Sequence, residues 1–255
     1  MKIFYVTGAI GLLGLLGLAV WNRYQKSHIT EETVSKFYNS HNSNLKLRKY
    51  TDITATLSPE TVVYPGDPQL IIEPICHVGQ DSCFGLTKIS MSNHIGTHID
   101  FPAHIAKGAK TSSDYSISDL IGEGIIIEIP PEAQCITREH ISSQKIDKNS
   151  FVFFKTSSSK KSKNTTFNGD YVYIDPEAAE ALLKLNVKIV GIDSISVDSL
   201  KNESLPVHQL LLKNEILIVE NLNLTNIYPG KCIVHISPLN IPGMDGLPAR
   251  VVIER

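Results

Sequence analysis

Cysteine is sparse in this sequence, and the four present, Cys76, Cys83, Cys135 and Cys232, show no C-x-x-C spacing. That absence excludes a zinc knuckle and a thioredoxin-like redox site. There is no G-x-S-x-G elbow, and no cysteine stands in a nucleophile context, so the serine- and cysteine-hydrolase triads find no support. The Walker and Rossmann glycine patterns are missing too, which removes the commonest nucleotide-binding designs. Charge excess is also lacking: 24 Lys and Arg against 26 Asp and Glu leave a formal net charge of −2. A polyanionic partner such as a nucleic acid is therefore not indicated, and small molecules or peptides are the expected substrates.

What remains is an ordinary globular composition, 42% hydrophobic and 20% charged over 255 residues, which suits one main domain with a sizeable core. From Ile3 to Trp21 the chain carries no charge. That run is about as long as the ~20 residues a bilayer-spanning helix needs. With Lys2 before it and Arg23 and Lys26 after it, residues 1–26 read as a signal or anchor segment, an N-terminal hydrophobic helix. The expectation is a membrane-anchored or secreted protein. Residues 27–49 read as a polar spacer with a short helix opening at Thr30, and the folded domain is expected over residues 50–255. Cys76 and Cys83 are close enough to pair in an oxidising compartment, with free buried thiols the equal alternative.

Within the domain, short apolar runs rich in β-branched residues recur. They comprise DITATLS from Asp52, LTKISMS at 86–92, GIIIEI at 124–129, FVFFK at 151–155, VKIVGID at 187–193, EILIVENL at 215–222, CIVHIS at 232–237 and ARVVIE at 249–254. Their length and composition predict strands. One helix is clear: Asp175 caps it, Pro176 takes its first position, and Ala178, Ala181, Leu182 and Leu185 form its inner stripe. A second starts near Leu205–Pro206. The fold class is α/β, a mixed, strand-rich single domain. The basic stretch SSSKKSKNTT at 157–166 reads as a solvated surface insertion.

Three of the nine histidines fall inside the eleven residues HIGTHIDFPAH at 94–104, as His94, His98 and His104, with Asp100 among them. An even spread would place about 0.4 there. Imidazole nitrogens and carboxylate oxygens are the donors that borderline divalent ions accept. Gly96, Thr97 and Pro102 oppose a helix, so His98 and Asp100 stand two apart on extended chain and point the same way, while Gly96 bends the backbone to return His94 to them. Glu220, after the apolar ILIV, is a carboxylate whose burial is costly unless it is paired, protonated or coordinated.

HIGTHIDFPAH resembles the His-x-Gly-Thr-His-x-Asp-x-Pro-x-His signature of the cyclase/kynurenine formamidase-like metal-dependent hydrolases. Three further blocks, DITATLSPETVVYPGDP, YIDPEAAEALLKLNVKIVGIDSISVDS and HQLLLKNEILIVENL, are similar to that family in its own order. The resemblance implies a swivelling β/β/α-like fold and metal ligands at His94, His98, Asp100, His208 and Glu220. It implies a catalytic role for His104 and an aromatic substrate contact at Tyr64. The implied cofactor is a divalent cation, Zn²⁺ before Mn²⁺, as one ion or as two sharing a bridging Asp100 or Glu220. Hydrolysis of a formamide or cyclic amide by activated water follows, with a lactone hydrolase or cyclase, or a non-catalytic binding module, as the rival readings. Family members commonly pair, so a homodimer is expected. Phe101 occupies a place where a small residue is common, which bears on pocket width. His77, His140 and His235 are expected to be structural.

Overall fold

In the computed structural model, residues 48–79, 84–161, 167 and 169–255 are described. The strands follow the apolar runs: β1 (Tyr50–Asp52), β2 (Ile71–Cys76), β3 (Leu86–Ser90), β4 (His98–Asp100), β5 (Ile121–Glu128), β6 (Cys135–Ile136), β7 (Phe151–Lys155), β8 (Tyr173–Ile174), β9 (Ile189–Ile192), β10 (Leu217–Glu220), β11 (Gly230–Pro238) and β12 (Gly246–Glu254). Among the described residues four α-helices accompany them: α1 (Arg138–Ser142), α2 (Ser158–Lys161), α3 (Pro176–Lys184) and α4 (Pro206–Lys213).

The main sheet has the order β1-β12-β11-β5-β7-β9-β10-β4, and a further pairing of β12 with β4 closes seven of its strands into a barrel-like ring. The strands β5, β7, β9 and β10 run parallel, while β11, β12 and β4 complete the ring antiparallel. Side chains alternate across this wall, as the pleat requires. Phe151 and Phe153 of β7, Leu217 and Val219 of β10, and Ile99 of β4 fill the interior. Val152 and Phe154, Ile218, and Val190 and Ile192 face outward onto Ala178, Leu182, Val207 and Leu211 of α3 and α4. The strand-rich α/β reading therefore holds, with one hydrophobic layer inside the ring and a second under the helices.

Helix α3 is capped by Asp175, whose side chain accepts from Glu177 N, with Pro176 at its first position. Its buried stripe is Ala178, Ala179 and Leu182, so Ala179 takes the place expected for Leu185, which lies at the C-cap and is 37% exposed. The start of the basic insertion is also not the surface loop expected. Ser159 Oγ and Thr156 Oγ1 each donate to Asp193 at 2.6 Å, and Ser158 and Ser159 are buried. Asp193 takes four hydrogen bonds in all, yet burial still pushes its carboxyl above the usual range.

The membrane assignment is corrected. No helix among the described residues is long and apolar enough to cross a bilayer. An apolar run licenses a span only as a continuous helix that satisfies its own backbone. The run at 3–21, the helix at Thr30 and Cys83 all lie outside the described residues. Cys76, Cys135 and Cys232 are free thiols.

Candidate metal centre

The site forms on the outer face of the ring, where β4 lies between β10 and β12. Antiparallel pairing sets His98 opposite Glu220 on one side and opposite Pro248 on the other. Because Ile99 points into the barrel core, His98 and Asp100 point out, on the same face as Glu220. Helix α4 packs over this face and delivers His208. Gly96, with φ +59°, turns the chain so that His94 returns to the cluster; a Cβ there would meet Leu57 Cδ2 at 2.3 Å. Gly246 is the matching gap in β12, since a Cβ on it would stand 2.2 Å from His94 Cε1. All five residues expected as ligands thus converge, and four of them, His98, Asp100, His208 and Glu220, are buried.

Their nitrogen and oxygen atoms interlock. His94 Nδ1 lies 2.8 Å and His98 Nε2 3.3 Å from Asp100 Oδ1. His98 Nε2 is 3.5 Å from Glu220 Oε2, and His208 Nε2 is 3.2 Å from Glu220 Oε1. Three groups of side chains offer donor atoms within 4.8 Å of one another: His94–His98–Asp100, Asp100–His208–Glu220 and His94–His104–Asp245.

Each imidazole is oriented by its far nitrogen. His98 Nδ1 donates to Gly96 O at 2.8 Å, leaving Nε2 bare toward the carboxylates. His208 Nδ1 faces Asp198 Oδ2 at 2.7 Å. His94 Nε2 faces Asp245 Oδ2 at 3.1 Å. A ring whose outer N–H is held by a carbonyl or carboxylate presents the other nitrogen to an ion in a fixed direction. Asp198 also accepts from Val207 N at 2.9 Å and His208 N at 3.0 Å. It caps α4 from nine residues upstream, because Leu205, in the left-handed region at the cap position, has no polar side chain.

Electrostatics and unpaired atoms fit a cation. Asp100 Oδ2 is one of two buried side-chain atoms among the described residues with no hydrogen-bond partner, the other being Tyr115 Oη. His208 Nε2 stands 3.7 Å from Asp100 Oδ2, beyond hydrogen-bond reach, and a buried carboxylate oxygen left so is costly unless a positive charge faces it. Burial raises the Asp100 carboxyl, but the surrounding imidazoles of His98, His208 and His94 outweigh it and hold the group well below its usual range. Burial lowers His94, yet the contacts with Asp100 and Asp245 prevail and raise it to about 9. His98 and His208 are likewise raised against burial, by Asp100 and Glu220. Three imidazoles and two carboxylates are a suitable donor set for Zn²⁺ or Mn²⁺.

His104 behaves differently. Burial and the neighbouring His94 and His208 keep its pKa below the usual value, against the pull of Asp100. Its ring lies 4.1 Å from that of His94 and 5.6 Å from that of His208, so it borders the cluster. It follows Pro102 in a short 3-10 turn, Pro102–His104, that ends the extended signature.

Tyr64 makes an edge contact with Phe167 at 6.0 Å. Tyr171, absent from the expected set, stands within electrostatic reach of both Tyr64 and Glu220; burial pushes its phenol up, and its hydroxyl donates to Asp198 O at 3.0 Å. Phe101 does not narrow the site: it is 1% exposed and packs inside the barrel against Tyr115. His140 accepts from Thr137 N, and His235 contacts Glu254, so both are structural.

Comparison with known proteins adds context. The Cyclase family model, described as "Putative cyclase", matches residues 51–199. The chain is 33% identical over 204 residues to the kynurenine formamidase of Salinibacter ruber, covering 80% of this chain and 96% of that one. It is 30% identical over 209 residues to the kynurenine formamidase of Geobacillus thermodenitrificans, covering 82% and 99%. A solved structure titled a potential metal-dependent hydrolase with cyclase activity superposes with TM-score 0.71 at 28% identity, over 81% of this chain and 98% of that chain. An isatin hydrolase bound to thioisatinate shares the fold with TM-score 0.75 at 18% identity, over 89% and 99%.

Proposed function

Since this chain belongs to the cyclase family of metal-dependent hydrolases, it is an enzyme that cleaves an amide-type C–N bond, and we propose that His94, His98, Asp100, His208 and Glu220 hold its metal. The observation that carries this reading is the meeting of five donor side chains, from the loop before β4, from β4 itself, from α4 and from β10, around a buried carboxylate oxygen with no hydrogen-bond partner. Zn²⁺ fits this donor set best, with Mn²⁺ second. Asp100 belongs to two of the three donor groups, one oxygen toward His94 and His98 and the other toward His208, so a second ion, if held, would share this carboxylate with the first.

A bound divalent cation supplies Lewis acidity for a carbonyl and acidifies water to a pKa of about 7. The chain's own residues do the rest. His104, kept neutral by burial at the cluster's edge, accepts a proton from the attacking water and passes it to the leaving nitrogen. His98 and His208 are locked with Nε2 inward by Gly96 O and Asp198. Tyr64, with Phe167 and Tyr171 beside it, forms an aromatic wall that suits a flat, ring-bearing formamide or cyclic amide. The closed ring with helices on its outer face agrees with the swivelling β/β/α arrangement. The β2–β3 hairpin, whose residues are almost all exposed, supports pairing into a homodimer.

The test is hydrolysis of N-formyl aromatic amines and of cyclic imides by metal-analysed protein, before and after chelation. Turnover should vanish with the metal and return when it is restored. Undiminished activity in metal-free protein would refute the assignment.

A further inference from the structure

Asp245 completes the cluster beside His94 and His104. It immediately precedes Gly246, the first residue of β12, and its carbonyl accepts from Phe101 N at 2.8 Å, which fixes its backbone against the end of β4. Asn93 Nδ2 donates to its Oδ1 at 2.8 Å and to Gly246 O at 3.2 Å, so one carboxylate oxygen is anchored. The other, Oδ2, stands 3.1 Å from His94 Nε2 and 3.4 Å from His104 Nδ1. One oxygen thus faces two rings whose centroids are 4.1 Å apart. The His104 contact is at the long end for a hydrogen bond, as catalytic contacts commonly are before substrate arrives.

Among the described residues, Asp245 is the hydrogen-bond partner of the His104 ring. A carboxylate can only accept, so the contact requires Nδ1 to carry the proton and leaves Nε2 as the basic atom. We propose that Asp245 is a positioning residue that holds His104 in its Nδ1–H tautomer, and that it ties this ring to the ligand ring of His94 through a single shared oxygen. Without that contact the His104 proton distributes between two nitrogens and the ring turns freely over His94. A carboxylate behind an acid–base histidine sets tautomer and aim in this way in unrelated hydrolases. Half of this arrangement is legible from the His94 side alone, since metal-bound imidazoles normally give their outer N–H to such a partner.

The inference rests on the acid–base role assigned to His104, and the experiment separates the two. In full-length, metal-loaded protein labelled with ¹⁵N-histidine, His104 should show a protonated Nδ1 and a bare Nε2. In Asp245→Ala that signature should collapse toward a mixed tautomer. In kinetics at saturating metal, Asp245→Ala and Asp245→Asn should lower kcat by about 10–100-fold, with KM within twofold of wild type. At saturating metal, which offsets the lost contact with His94, the Asp245→Ala/His104→Ala pair should be no slower than His104→Ala alone, because the residue then has no acid–base ring left to position. An unchanged tautomer in Asp245→Ala, or losses that multiply in the double variant, would overturn the proposal. Full activity in His104→Ala would instead overturn the role of His104 and leave the tautomer result to judge Asp245.

Discussion

Asp100 and His104 sit in the same eleven-residue stretch but in opposite electrostatic states, and that contrast separates their roles. Asp100 is ionised, fully buried and shared between two donor groups. His104 borders the cluster with its pKa lowered. His104→Ala should therefore retain bound metal while turnover falls about 10²–10⁴-fold, whereas Asp100→Ala should lose both, as read by elemental analysis beside initial rates. Equal metal loss in the two variants would make His104 a ligand. A second expectation follows from His94, whose pKa near 9 in metal-free protein means that a proton occupies the ring at neutral pH. A cation must displace it, so metal affinity should rise with pH, about tenfold per unit for each proton released, until His94 and the likewise raised His98 and His208 have all lost theirs. Calorimetry in buffers of different ionisation enthalpy counts those protons. His94, His98, Asp100 and His104 were legible because they crowd one short stretch. His208 was legible only through the family resemblance, and Glu220 in part from its buried context. Asp245 was hidden because an Asp-Gly pair before a strand reads as a turn, and its partners lie 141 and 151 residues away. Asp198 was hidden for a similar reason, since a cap is normally sought next to its helix.

The helix α4 is an element whose start depends on a distant side chain. Asp198 receives Val207 N, His208 N and His208 Nδ1, so one carboxylate caps the helix and aims a ligand. Asp198→Ala should cost about 1–2 kcal/mol as a lost cap, a fall in Tm of roughly 2–8 °C. It should also weaken metal binding about 10–100-fold. A variant with lower Tm but wild-type metal affinity would show that the cap and the aiming are separable. The strands themselves were readable, because short β-branched runs bounded by turns admit little else, and β7 falls at Phe151–Lys155 as the run FVFFK predicts. Helix α3 was readable from Asp175 and Pro176. What periodicity could not show was which face of each strand meets water and which meets helices: β7 is buried on both sides, so its sequence carries no alternation.

At the scale of the whole molecule, the closure of the ring was not legible, since it depends on β12 pairing with both β1 and β4 along one edge. Neither was the separate β2–β3 hairpin, which stands outside the main sheet with Ile71, Ile72, Ile75, Leu86 and Ile89 between 46% and 61% exposed. A lone two-stranded hairpin is marginal in water, and the pair Ile72 and Ile89, opposite each other across its two strands, gives it an exposed apolar face that suits a contact. Light scattering should give twice the chain mass for the wild type and a single chain mass for Ile72→Asp/Ile89→Asp. A monomeric wild type would remove the homodimer from the proposal. The apolar residues at 3–21 gave the opposite lesson, because length and hydropathy alone suggested a membrane anchor that no described helix provides.

Strand β4 is only three residues long, yet it is paired on both sides. Sliding it by a single position would turn Ile99 out toward the donor cluster and drive an imidazole and a carboxylate into the greasy lumen among Phe151 and Phe153. Among the described residues this cluster is apolar, so both groups would lie there without a partner, at a cost the native register avoids. The two polar side chains that the site needs on the outer face thereby also specify the register of the strand that carries them.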